Sequence, residues 1–222
     1  SSTSRGLGDV YKRQTLVLNM LLTVYLDKFD QIIVVSHSWD SDPSWDPLKS
    51  YMEAKGWNLR ECGISEYNDD FLARAIDLQT KIVRAQKNKG RTTNMASICI
   101  VFDDVLESRA AIRGKLLEQI YARGRHVFIS CITSVQSIKR LSNVVRQQSE
   151  HIFVWRLRSG GDYDAFHDEN SAIVDKKVLE DVYWVAVSKP FGHLWVDKSK
   201  QDPDEMFHPG GLGSPPIKVS EM

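Results

Sequence analysis

The sequence predicts an α/β fold in which a mostly parallel sheet carries helices on both faces. Three observations lead there. Ile98 to Phe102 is a run of five apolar residues, rich in β-branched side chains, with polar residues before it and two carboxylates after. Such a run reads as a strand buried on both faces. Short apolar runs recur at Gln31–Ser36, His126–Ile132 and His151–Leu157. Between them lie stretches of helical spacing, and strands that alternate with helices pair in parallel.

Ser1–Gln14 is polar, lacks core periodicity and stops abruptly where an apolar segment begins. It reads as translated sequence foreign to the fold, so the core is expected to start at Thr15. Thr15–Asp27 is apolar nearly all round, and its length and its Leu and Met content favour a buried helix over a long strand. Gln31–Ser36 is a short buried strand running into a loop, residues 37–47, dense in Asp, Ser and Pro. A helix follows, with Asp46 as its cap and Pro47 at its first position. Asp69–Gln86 is a second helix, capped by Asp69 or Asp70, with Leu72, Ala75, Ile76, Gln79, Ile82 and Val83 on one face.

Beyond the central strand, Ile112, Leu116, Leu117, Ile120 and Tyr121 mark an amphipathic helix over Arg109–Tyr121, stopped by Gly124. His126–Ile132, His151–Leu157, Tyr183–Val187 and His193–Val196 read as further strands. From Gln201 onward, closely spaced Pro and Gly are expected to forbid regular structure and leave a flexible tail, or one bound to a neighbour.

The length of 222 residues suits one domain. A formal net charge of +0 gives no general pull toward nucleic acid or membrane, so any contact with DNA has to come from a local patch. The candidate is the basic stretch from Lys81 to Arg91, which holds Lys81, Arg84, Lys87, Lys89 and Arg91. It reads either as a solvated helix end or as a loop facing DNA phosphates. Cys62, Cys99 and Cys131 are widely spaced, with neither a disulfide framework nor zinc spacing, which is the usage of a reduced compartment. No run approaches the ~18 apolar residues of a membrane span and no secretory signal is present. A soluble, non-secreted protein is expected.

Chemistry concentrates at Asp103-Asp104, where the central strand ends. Open α/β sheets bind their ligands at the carboxyl ends of strands. There Asp103 could hold Mg²⁺ through water while Asp104 orients or deprotonates an attacking water, the Walker B arrangement. A strand ending in a solvated Asp-Asp turn is the plainer alternative. The neighbouring strand ends in Thr133-Ser134-Val135-Gln136. Gln136 or Thr133 is the candidate to hydrogen-bond both the attacking water and a γ-phosphate.

Leu16 to Leu22, Ile32 to Ser36, the Asp42 to Leu48 loop, Ile100 to Asp104, Gly124-Arg125-His126, Gln136 and Val145 to Gln148 fall in an order that resembles the DNA-packaging ATPases of large DNA viruses. These are a branch of the FtsK–HerA class of P-loop NTPases, with an ASCE/RecA-like core. The resemblance covers Thr15 to about Lys200. It implies a homo-oligomeric ring that hydrolyses ATP with Mg²⁺ and drives double-stranded DNA into a viral capsid, meeting a capsid or portal component, in the virion or the infected-cell cytoplasm. It gives Asp103 the metal role, Asp104 the catalytic carboxylate and Gln136 the sensor. Arg125 is similar in position to an arginine finger offered to the neighbouring subunit, with Arg146 and Arg123 as further candidates.

The departure lies upstream. The family's Gly-x-x-x-x-Gly-Lys-Ser/Thr loop should come immediately before Thr15, placing Thr15 in the helix turn that meets the phosphates. Gly6 to Gln14 does not match it, and the strand that should lead into it is absent too. The expectation is therefore a core lacking its first strand and phosphate loop: a fragment that binds ATP weakly or not at all, cut from an active ATPase. Two rival readings are a non-catalytic ring subunit of the same fold and a nuclease. The nuclease would use Asp103 and Asp104 as metal ligands and need Asp40, Asp42 and Asp46 to fold back toward them.

Overall fold

A computed structural model describes residues 13–105 and 115–222. Their contacts divide the chain into two compact units, where the length suits one domain. The first runs to Gln136 and takes in Arg140–Val145; the second comprises Ser137–Lys139 and Arg146–Met222.

The first unit is built on a four-stranded parallel sheet, order β2-β1-β3-β4, with β1 Gln31–Ser36, β2 Gly63–Ile64, β3 Ile98–Asp103 and β4 Ile129–Ser134. Every residue of β3 is buried, as an unbroken β-branched run at the centre of a parallel sheet demands. Alternation along the strands sends Ile32, Val34, Cys99 and Val101 to one face. Ile33, Val35, Ile98, Ile100 and Phe102 go to the other.

Helix α1, residues 13–19, continues into a π-helical turn at Met20–Val24. It lays Val17 and Leu21 on the first face beside Leu48 and Met52 of α2, Asp46–Ala54. A four-residue helix, α3, Leu59–Cys62, leads into β2. The opposite face is covered by α4, Asp69–Asn88, and by α5, Lys115–Arg123, through Leu72, Leu117 and Ile120. Each such side chain taken fully out of water contributes roughly 1.5–3 kcal/mol, so both faces drive the layered packing. Residues 109–114 of the helix expected over Arg109–Tyr121 lie outside the described residues.

Several local expectations are corrected. The cap of α4 is Asn68, whose side chain accepts from Phe71 N at 2.9 Å, rather than Asp69 or Asp70. Of its expected apolar face, Leu72, Gln79 and Val83 are buried but Ile82 is exposed. The strand read from His126 begins at Ile129. Gly124–Val127 is instead a 3₁₀ turn closed by Phe128 at φ 58°, so the chain reverses before it can enter the sheet.

The second unit pairs β5 His151–Trp155, β6 His193–Asp197 and β7 Phe207–Pro209 as an antiparallel sheet. These strands therefore do not extend the parallel sheet. Helix α6, Asn143–Gln148, starts in the first unit and ends in the second, and α7 and α8, Gly160–Asn170 and Lys176–Val187, lie between β5 and β6. Phe166, Leu179, Val182, Tyr183, Leu194, Val196 and Phe207 share its core.

Tyr183–Val187, expected as a strand, is the last part of α8. Five apolar residues alone cannot separate strand from helix, and the spacing that decides starts earlier, at Leu179. The tail expected to lack regular structure is built into this unit. Asp202 caps a turn at Pro203–Glu205, Phe207 is fully buried, and β7 pairs with β6 at a sheet edge, where Pro209 is tolerated because it need not donate to a ladder.

Candidate functional site

The parallel register fixes the site. Ser36, Asp103 and Ser134 are mutual partners at the last position of β1, β3 and β4. Strand side chains two residues apart share a face, so all three follow Val34, Val101 and Ile132 onto the face covered by α1. Asp103 is 4% exposed. Its carboxylate accepts from Ser36 Oγ at 3.3 Å and is also hydrogen-bonded by Ser134. Burial pushes its carboxyl above the ordinary 3.8; the two hydroxyls and Arg13 oppose the rise and the adjacent Asp104 adds to it.

Asp104 leaves the sheet in the left-handed region, φ 54°. Asp adopts that conformation more readily than most residues, and backbone of this kind clusters at functional sites. Its backbone N–H donates to Ser134 O at 3.1 Å, and its carboxylate accepts from Gln136 Nε2 at 2.8 Å. The structure thus brings Asp103, Asp104 and Gln136 together at one edge of the sheet.

The first described turn of α1 belongs to the same corner, and it includes Arg13 and Gln14, which the sequence placed outside the core. Arg13 donates to Val135 O at 2.6 Å. Gln14, 3% exposed, lies with its amide oxygen 2.7 Å from Ser44 Oγ and 2.9 Å from Trp45 Nε1 in the orientation that satisfies donors and acceptors. Thr15 follows on the same helix. Ser38 joins the network, 3.1 Å from Ser36 Oγ and accepting from Trp45 Nε1 at 3.1 Å.

Other predicted residues are placed elsewhere. Thr133 faces the opposite side of β4, where it accepts from Tyr121 OH at 2.8 Å; the hydroxyl beside Asp103 is that of Ser134. Arg125 lies in the turn before β4, at the amino edge of the sheet, so within one chain it is on the far side from the carboxylates. Arg123 ends α5 at that same edge. Arg146 is held in its own unit, with Nε 2.7 Å from Glu169 and Nη1 3.3 Å from Ile138 O. The loop acids do not fold back. Asp40 accepts from Ser65 Oγ at 2.7 Å, Asp42 caps Ser44 N at 2.9 Å, and Asp46 faces Lys49 at 3.9 Å.

Among the described residues no three metal-ligating side chains converge, and none of the described helices is long and apolar enough to cross a membrane. Mg²⁺ does not require a protein cage: it is commonly held by one or two carboxylates, water and substrate phosphates. A buried carboxylate flanked by hydroxyls and by a second carboxylate fits that use.

No family model matches the chain. It is 21% identical over 129 residues to the uncharacterized protein 075L of Invertebrate iridescent virus 6, a match covering 57% of this chain and 50% of that protein. The chain thus spans about half the length of that curated relative. Among solved structures it is similar to the genome packaging NTPase B204 of Sulfolobus turreted icosahedral virus 2 in complex with AMPPCP, at 14% identity and a TM-score of 0.45, over 79% of this chain and 96% of that one. The same protein in complex with AMP gives 14% identity and a TM-score of 0.44, over 80% and 96%.

Neither Ser36 nor Ser134 stands out as a site residue in the sequence. Their signal is parity: once β4 ends at Ser134, its last side chain must share a face with Asp103.

The raised carboxyl of Asp103 carries a stability consequence. An acid whose folded pKa lies above its unfolded one opposes folding when ionised, and the cost vanishes as pH falls through the folded value toward 3.8. Asp103→Asn is therefore expected to raise the melting temperature at neutral pH, with the gain shrinking on acidification. Melting curves of both proteins across that range, without nucleotide, check it. A lower melting temperature for the variant at neutral pH would show that the ionised carboxylate is well accommodated.

Proposed function

We propose that the carboxyl edge of the parallel sheet binds and hydrolyses a nucleoside triphosphate, ATP with Mg²⁺, and that the protein works in a viral DNA-packaging motor of the P-loop NTPase type. The observation that carries this reading is the aligned trio Ser36, Asp103 and Ser134 with Asp104 bonded to Gln136. It concentrates negative charge in a buried corner that a cation would relieve.

In this reading Asp103, steadied by the two hydroxyls, holds Mg²⁺, which when bound neutralises charge on the phosphates. Asp104 accepts the proton of the attacking water, and Gln136 orients both. Thr15 in the first described turn of α1 faces the phosphates, where helix N–H groups favour anions. Thr133 takes no part, because its hydroxyl is engaged with Tyr121 on the other face. An arginine finger has to come from a second copy in a ring. Arg125 is the candidate, since Arg146 is already paired with Glu169. Double-stranded DNA, a ring of identical copies and a capsid or portal component are the proposed partners, in the virion or infected-cell cytoplasm.

The test is phosphate release from ATP by a protein in which a Gly-x-x-x-x-Gly-Lys-Ser/Thr loop precedes Thr15, with Mg²⁺ and with chelator. Mg²⁺-dependent release that Asp103→Ala abolishes supports the reading. Release indifferent to both, or none at all while that loop-bearing protein remains folded, overturns it.

A further inference from the structure

We infer that the amino edge of the first unit's sheet, opposite the carboxylates, is a surface that binds the phosphate backbone of duplex DNA. No Asp or Glu occurs between Asp77 and Asp103, nor between Glu118 and Glu150. The fold carries six cations from these two acid-free stretches to one rim. Arg84 and Lys87 lie on the last turns of α4, Lys89 and Arg91 follow it, and Arg123 and Arg125 flank Gly124 at the end of α5. All six are exposed.

Backbone brackets hold the two segments side by side. The buried Gln79 donates from one amide nitrogen to Ala96 O at 2.7 Å and to Val127 O at 2.9 Å. Gln86 Oε1 accepts from Ala96 N at 3.0 Å, Arg91 N donates to Gln86 O at 3.0 Å, and Ile98 N donates to Phe128 O at 3.0 Å. The loop from Lys89 to Ser97 is thus fixed against the Gly124–Val127 turn, and its charges are presented in a set arrangement.

Three acids near this rim are already engaged. Asp77 pairs with Lys81 at 2.6 Å and Asp27 with Lys55 at 2.6 Å, while Asp30 accepts from Ser97 N at 2.8 Å. None of the six cations pairs with a described carboxylate.

In a chain of net charge +0, this concentration produces a local field that the composition hides. Duplex DNA is the occupant because its linear charge density returns the most counterions per cation engaged. The six residues of β3 separate this rim from Asp103 and Asp104 by about 17–20 Å, so DNA and nucleotide would occupy opposite ends of the same strand. This inference does not rest on the nucleotide reading.

The experiment measures binding of a random-sequence duplex to the purified chain, without nucleotide, over a series of salt concentrations. With all six cations engaged, log K falls with log salt at a slope of about −5. The exposed set Arg84→Gln, Lys87→Gln, Lys89→Gln and Arg91→Gln brings the slope to about −2 and weakens binding on the order of 10²- to 10³-fold at about 0.1 M salt. A control pair in the second unit, Lys177→Gln with Lys189→Gln, leaves both unchanged. Wild-type slope and affinity in the fourfold variant would overturn the assignment, as would tighter binding of a single strand of equal phosphate count. Arg125 is claimed by both readings. Arg123→Gln with Arg125→Gln lowers the slope further if the turn belongs to the DNA surface; an unchanged slope with lost hydrolysis removes the turn from it.

Discussion

In a protein whose Gly-x-x-x-x-Gly-Lys-Ser/Thr loop precedes Thr15, Asp104→Asn is expected to lower ATP turnover by about 10²- to 10³-fold, with little change in the nucleotide concentration giving half-maximal rate. General-base catalysis typically contributes about 10²–10⁴-fold. The amide keeps the shape of the side chain but cannot take a proton from water. The Gln136 contact, 2.8 Å in the wild type, can persist to the remaining oxygen, so nucleotide binding should survive. The stability response separates a chemical role from a structural one. Asp104 is only partly buried and lies just past the end of β3, and Asn tolerates the left-handed backbone as Asp does, so folding should be nearly unaffected. Steady-state kinetics with melting curves decide it: turnover within a factor of a few of wild type removes Asp104 from the chemistry.

Trp45→Ala is expected to cost about 3–5 kcal/mol of stability, the range for emptying a buried aromatic site. Trp45 is fully buried, its ring centre 5.7 Å from that of Trp39, in the core shared by α1, α2 and the sheet face that carries Asp103. Its indole N–H also bonds Ser38, the hydroxyl next to Ser36. Truncation therefore opens a large void and releases one end of the polar network around Asp103. At roughly 2–4 °C per kcal/mol for a protein of this size, the melting temperature should fall on the order of 10 °C. Trp45→Phe, which refills most of the volume but cannot donate, should recover most of that loss. Calorimetry or circular dichroism of the two variants tests both statements. A loss below about 1 kcal/mol for the alanine variant would mean that the site collapses around the missing ring.

Legibility in the sequence followed the range of the interactions involved. Ile98–Phe102 and Gln31–Ser36 were readable as buried strands because every residue in them is apolar or β-branched, a property of the run itself. Tyr183–Val187 misled because its helical period depends on Leu179, outside the window. Phe207 and Pro209 misled because a Pro- and Gly-rich composition predicts disorder only where no edge strand is waiting, and β6 supplies one. At the site, adjacent Asp103 and Asp104 were conspicuous and Gln136 was in plausible reach. Thr133 is a sequence candidate and Ser134 is not, and nothing in their hydroxyls separates the two until the strand's register sets which one faces Asp103.

By itself the sequence determined the α/β class, the central strand, the paired acids at its end and the acid-free basic stretch, all of which are properties of neighbours along the chain. Only the tertiary structure decided that Ser36 and Ser134 flank Asp103, that Arg125 stands at the far edge with the basic loop, and that the last three strands form an antiparallel sheet of their own. The reason is geometric: strand register turns a shift of one residue into a change of face, and that register is set by pairing between segments far apart in the chain.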